Sequence, residues 1–209
     1  SSGQGLTGLT SATSEFAVTN TAAALDQAGL SFTPVNGSFE VLVRNQQTGL
    51  TTTTQVRVDL NGLDGDTTLD ELAAAIDNID GISAVVTANR KLEIKGDSQL
   101  VTFGFANDTS GTLASLGINT FFTGSGASSI GVSSTVLSDP SKFAASGGGI
   151  GEDTAIAVKL ANLLNTPLAS LGGSNLAVQY DRVVGEVTQG ASVTKSVAEG
   201  FRTFHSTLE

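Results

Sequence analysis

Cysteine, methionine and tryptophan are absent from the 209 residues. Without cysteine there are no structural disulfides and no thiolate metal sites. A cysteine-free composition suits export and equally suits a reducing compartment. Without methionine, the native initiator is expected to lie outside these residues. Proline is scarce at 3, against 25 glycines, which predicts many tight turns and few rigid linkers. Charge is thin as well: Asp, Glu, Lys and Arg make up 14% of the chain, against roughly 25% in an average soluble domain. Lys and Arg total 10 and Asp and Glu 20, a net charge of −10. Phosphate binding needs clustered Lys and Arg, so the charge argues against nucleic acid, and none is expected as a partner. The same charge disfavours an anionic membrane surface. No apolar run reaches the ~18 residues of a spanning helix, and no charged region followed by an apolar one suggests a Sec-type leader. With one histidine, His205, and no cysteine, the common transition-metal sites are not expected.

What is present is enough apolar residue, 39%, for a core, and patterns that place it. Residues 1–36 are rich in Ser, Thr, Gly and Ala and read as an extended segment packing on the helical part of the chain. Within it, Thr21 to Ala28 has the composition of a helical turn or two, ended by Gly29. Residues 37–116 read as a small α+β domain. Phe39, Val41 and Val43 alternate with Glu40, Leu42 and Arg44, the period of a strand. Asn45 to Gly49 is a turn, and Thr51 to Leu60 completes a hairpin. Asn61 to Asp66 turns again, after which Thr68 and Glu71 have the spacing of a capping box. Leu69, Leu72, Ala73 and Ile76 give the following helix one apolar face. Ile82 to Thr87, Leu92 to Lys95 and Val101 to Phe105 read as further strands, so one antiparallel sheet with a helix on one face is expected. Residues 117–150 read as an extended return segment. Residues 151–209 read as a helical axial-core domain of two antiparallel helices, the first opened by Glu152 and Asp153 at the positive end of its dipole. The fold class is therefore α+β: the sheet-plus-helix domain is inserted into a region of two antiparallel C-terminal helices and extended strands.

Catalytic patterns fail one by one. His205 has no carboxylate or nucleophile placed by motif beside it. The acidic cluster Asp59, Asp64, Asp66, Asp70 and Glu71 departs from a calcium loop, because Leu63 and Asp64 stand where the third ligand and the glycine belong. Gly147 to Gly151 precedes a helix but lacks the Lys-Ser/Thr of a phosphate loop, and Glu152-Asp153 would repel phosphate. No G-x-S-x-G elbow occurs. No catalytic residue, cofactor or metal site is expected, and the chain reads as no enzyme.

The strongest pattern is a stripe. Apolar residues recur in steps of four and three at Leu176, Tyr180, Val183, Val187, Val197, Phe201, Phe204 and Leu208, interrupted only at Gly190 and Thr194. A period near ~3.5 lets one helix face hold against another along its length. The stripe runs on without a Gly, Asn or Pro stop, so a longer parent whose terminal segments carry assembly is expected, with the 209-residue chain monomeric on its own. Tyr180 to Val187 are expected to pack on Ile156 and Leu163 in an ordinary helix pair. Phe201, Phe204 and Leu208 lie further along, where a row of exposed apolar side chains suits a subunit contact.

Leu116-Gly117-Ile118-Asn119-Thr120-Phe121-Phe122-Thr123-Gly124-Ser125, then Ile130-Gly131-Val132 and Leu137-Ser138-Asp139-Pro140, resembles the C-terminal half of the hook–filament junction family of flagellar hook-associated proteins. Gly151 to Leu160 and the final helix fit the same family in order and spacing. The domain carrying Thr67 to Leu72 is similar to the insertions of flagellins and hook-associated proteins. The resemblance spans residues 37 to 209 and implies a non-enzymatic, secreted, extracellular component of the bacterial flagellum. It implies as partners the hook protein, the second junction protein (the third hook-associated protein), neighbouring copies of the same chain and an export chaperone. Another axial protein, a flagellin or filament cap, is the nearest alternative; an extracellular adhesin or binding module is the alternative of a different class.

Overall fold

A computed structural model describes residues 8–124, 126, 128–142, 158 and 161–208. The chain divides into two compact units, residues 1–156 and 157–209. Both helices and antiparallel sheets are present, and the class is α+β.

In the first unit the strands are β1 (Ser11–Thr13), β2 (Gly37–Asn45), β3 (Thr51–Val58), β4 (Ile82–Val86), β5 (Leu92–Gly96), β6 (Val101–Ala106), β7 (Phe122–Thr123) and β8 (Gly131–Val132). The helices are α1 (Leu69–Asp77), α2 (Thr112–Leu116) and α3 (Ser134–Ser138). Strands β2 to β6 and α1 fall where hydrophobic alternation and the capping box put them. Thr68 Oγ1 accepts from Glu71 N at 3.2 Å, and Glu71 Oε2 accepts from Thr68 N at 2.9 Å, so two orphan helix donors are satisfied reciprocally. Helix α1 buries Leu69, Leu72, Ala73 and Ile76. In the turn from β2 to β3, Asn45 Oδ1 accepts from Gln47 N and Thr48 N.

The single sheet expected is instead two three-stranded antiparallel sheets, β3-β2-β6 and β1-β5-β4. The N-terminal segment touches both. β1 pairs with β5 in the register Ser11↔Lys95, Ala12↔Ile94 and Thr13↔Glu93. Just before it, Leu9 bridges to Phe103 of β6, with hydrogen bonds of 2.8 Å in each direction. The segment thus occupies one edge of β5 and reaches β6 at Leu9. The described residues of this segment, 8–36, are tied further to the same unit. Their hydrogen bonds run into the α+β unit: Ser14 N donates to Leu92 O, Phe16 N to Leu116 O, Val18 N to Arg90 O and Leu25 N to Thr67 O. Between Thr21 and Ala28 only one 3-10 turn forms, Leu25–Gln27.

The core is continuous across both sheets. Phe39, Val41, Phe103 and Phe105 from one sheet share it with Ile82, Leu92 and Ile94 from the other and with the buried face of α1. The rings of Phe103 and Phe105 meet edge to face with centroids 5.7 Å apart, and those of Phe39 and Phe105 at 6.3 Å. A few side chains from the stretch after α2 also reach this core. Ile118 and Val136 are buried, and Phe121 and Val132 pack partly against the same cluster. Gly117 ends α2 in the left-handed region, at φ 68°. A side chain there would place its Cβ 2.7 Å from Glu15 Cβ, so only glycine lets α2 close on the N-terminal segment.

In the second unit, Leu163–Asn165 and Ala169–Leu171 are single 3-10 turns, and α4 (Leu176–Leu208) is a helix of 33 residues. The helix expected from Glu152 to Leu164 falls mainly outside the described residues. So does the glycine run Gly147 to Gly151.

Candidate interaction face

The stripe lies on one continuous helix. Asn175 starts it: its side-chain oxygen accepts from Val178 N at 2.8 Å, an N-cap that satisfies a first-turn donor. Gly172 and Gly173, both at positive φ, turn the chain into that cap. At 1.5 Å per residue, steps of three and four return Tyr180, Val183, Val187, Val197, Phe201, Phe204 and Leu208 to the same side of the cylinder.

None of the described residues of α4 is buried. Leu176 is half-buried, while Tyr180, Val183, Val187 and Val197 are exposed. Phe201 is 71% exposed, Phe204 63% and Leu208 72%. The packing of Tyr180 to Val187 expected on Ile156 and Leu163 is not what these exposures describe; Ile156 itself lies outside the described residues. The exposed rings of Phe201 and Phe204, with Val197, line a shallow apolar depression floored by Gly200.

The interruptions in the stripe are softened. Thr194 Oγ1 donates to Gly190 O at 2.8 Å, one turn back. Its hydroxyl is thereby satisfied within the helix, which lowers the cost of carrying a polar residue on an apolar face. Sequence reasoning missed Val184 and Val193, both exposed. They flank the stripe on opposite sides and widen it beyond a two-row seam. Their signal was present in the same period, one position off each main row.

Two ion pairs lie along the same helix. Arg182 pairs with Glu186 at 2.9 Å and Lys195 with Glu199 at 4.0 Å, each four residues apart. Both pairs run cation first, the weaker order for a helix.

Two of the carboxylates weighed for chemistry, Asp66 and Glu71, have structural duties. Asp66 accepts from Asn61 N and Gly62 N in the loop before α1, Thr67 Oγ1 accepts from Asp59 N, and Glu71 caps α1. The buried Asp108 accepts from Ser110 N, Gly111 N and Leu113 N, and so holds the start of α2. His205 lies on α4, and no described group of three His, Cys, Asp or Glu is arranged to hold a metal ion. A polar cavity of about 220 Å³ lies between the N-terminal segment and the 117–135 region, lined by hydroxyls such as Ser11, Thr13 and Thr120. At its wall Glu15 Oε1 accepts from Gly124 N at 3.0 Å, which ties the two segments together. Among the described residues no helix is long and apolar enough to cross a membrane. No protein-family model and no curated protein sequence matches the chain.

Proposed function

We propose that this chain is a structural component of the bacterial flagellum, a hook–filament junction protein that joins hook to filament by packing between subunits. One observation carries the reading: a 33-residue helix presents an ordered apolar stripe with no buried residue along it. An apolar row of this length is a surface for another macromolecule, not for a small substrate, which would need a concave site. The Leu116 to Ser125 run and its family resemblance direct that general reading to a flagellar junction. On this reading the protein is secreted and extracellular and works without catalysis. Its neighbours are the hook protein, the second junction protein and further copies of itself.

The decisive experiment is co-sedimentation of the full-length gene product with purified flagellar hooks, beside a Phe201→Asp/Phe204→Asp variant. The unaltered protein is expected in the pellet at hook ends, and the variant in the supernatant. An unaltered protein that is folded, soluble and wholly in the supernatant would remove the junction reading.

A further inference from the structure

Asparagine followed by glycine occurs at Asn36-Gly37 and at Asn61-Gly62. In this dipeptide the glycine nitrogen can attack the asparagine side-chain amide, because no side chain on the glycine obstructs the five-membered ring that forms. The structure places the two copies in very different surroundings.

Asn61-Gly62 lies in the exposed loop between β3 and α1. The Gly62 N–H faces the Asp66 carboxylate, at 3.2 Å from each of its oxygens. A carboxylate at that distance from the attacking nitrogen is placed as a general base. The electrophile is prepared as well. Asn61 Oδ1 accepts from Leu63 N at 2.8 Å, and a donor there stabilises the oxygen as it gains charge. Asp66 also accepts from Asn61 N at 2.9 Å, which fixes the base relative to both reacting residues. Gly62 sits at φ 76°, with nothing within 4 Å of where a Cβ would project.

Asn36 Oδ1 likewise accepts from a backbone donor, Leu60 N at 3.0 Å, but among the described residues no carboxylate faces Gly37 N, so the difference lies in the base and the backbone. Gly37 opens β2, opposite Val58 in the ladder. The backbone is pinned on both sides: Val35 N donates to Ser110 O at 2.9 Å and Ser38 N to Thr109 Oγ1 at 3.0 Å. A Cβ on Gly37 would stand 2.9 Å from Ser110 N, so its backbone is packed as well as paired.

We infer that Asn61-Gly62 is a self-modification site, converted without any enzyme to a mixture of aspartate and isoaspartate, while Asn36-Gly37 in the same folded chain is protected. Gly62 N attacks Asn61 Cγ and passes its proton to Asp66. The bond from Cγ to the amide nitrogen breaks, and that nitrogen leaves as ammonia after taking a proton. Water then opens the cyclic imide at one carbonyl or the other. No oxidant or reductant is involved. The product places a carboxylate beside Asp59, Asp64 and Asp66, and in the isoaspartyl form adds a methylene to the loop backbone just ahead of the α1 cap. This inference is independent of the junction reading.

The test is peptide mass mapping of the whole chain after prolonged incubation at neutral pH, native and in denaturant. In the native chain the peptide containing Asn61 is expected to gain one mass unit and split into two isomers, roughly tenfold or more faster than the peptide containing Asn36. In denaturant the two should converge. Asp66→Asn should slow conversion at Asn61 by a similar factor, and Asp66→Glu, which keeps the carboxylate, should restore much of it. Equal native rates at the two sites, no conversion at Asn61, or an Asp66→Asn variant that converts as fast as the parent would each overturn the inference.

Discussion

Helices α1 and α4 are stabilised in opposite ways. α1 has 9 residues, a complete capping box and four apolar side chains sunk into the sheet. α4 has 33 residues, and none of those described is buried. Local terms do little for α4. Gly185, Gly190 and Gly200 lie within it, each costing roughly 1 kcal/mol against alanine. Its ion pairs are exposed and run in the weaker order. In most proteins a long amphipathic helix draws its stability from what covers its apolar face. α1 finds that cover within its own unit; on the proposed reading, α4 finds it on neighbouring subunits.

The sharpest way to break this contrast is to remove one phenylalanine from each region. Phe103 is 1% exposed and contacts the Phe105 ring. Phe103→Ala should lower stability by about 3–5 kcal/mol, enough to unfold a domain of ordinary stability. Phe201→Ala, at an exposed position of the same residue type, should stay within about 0.5 kcal/mol. Urea denaturation of both variants measures the difference. A loss at Phe201 comparable to that at Phe103 would mean that the stripe is already covered within the single chain.

A smaller effect tests the segment that joins the two sheets. Ala12 stands opposite Ile94 between the paired positions Thr10/Gly96 and Ser14/Leu92, whose bonds are 2.9 and 2.8 Å. Ala12→Pro deletes a ladder donor there, and a loss of about 2 kcal/mol is expected in the same urea experiment. No change in the urea midpoint would show that β1 is dispensable and that the β5 edge is held by other contacts.

These two regions also differ in how legible they were. β2 to β6 and α1 could be read because their signals are local: alternation at Phe39, Val41 and Val43, and a cap whose partners are three residues apart. β1 could not, because Ser11-Ala12-Thr13 is short and has no apolar alternation of its own. Its strand character comes from β5, some eighty positions away in sequence. The burial of Ile118 and Val136 was hidden for the same reason, in a stretch whose Ser and Gly content reads as loop. For α4 the period was fully legible from Tyr180 to Leu208, but period alone does not say whether an apolar face is covered. That required the exposures.

The smallest effects concern how each helix is held at its surface. Thr68→Ala removes the acceptor for Glu71 N and the hydroxyl partner of Glu71 Oε2. A cap of this kind contributes about 1 kcal/mol, and thermal denaturation should show the loss as a downward shift of the α+β unit's transition. Arg182→Ala in α4 breaks an ion pair at 2.9 Å, yet the Arg and Glu186 side chains are 69% and 64% exposed. Water screens such a pair, and fixing two long side chains costs entropy, so less than about 0.5 kcal/mol is expected. The short cap should therefore outweigh the well-formed ion pair. If Arg182→Ala proved the costlier change, the ion pair would be stabilising that helix, and its apolar stripe would no longer be needed to account for its length.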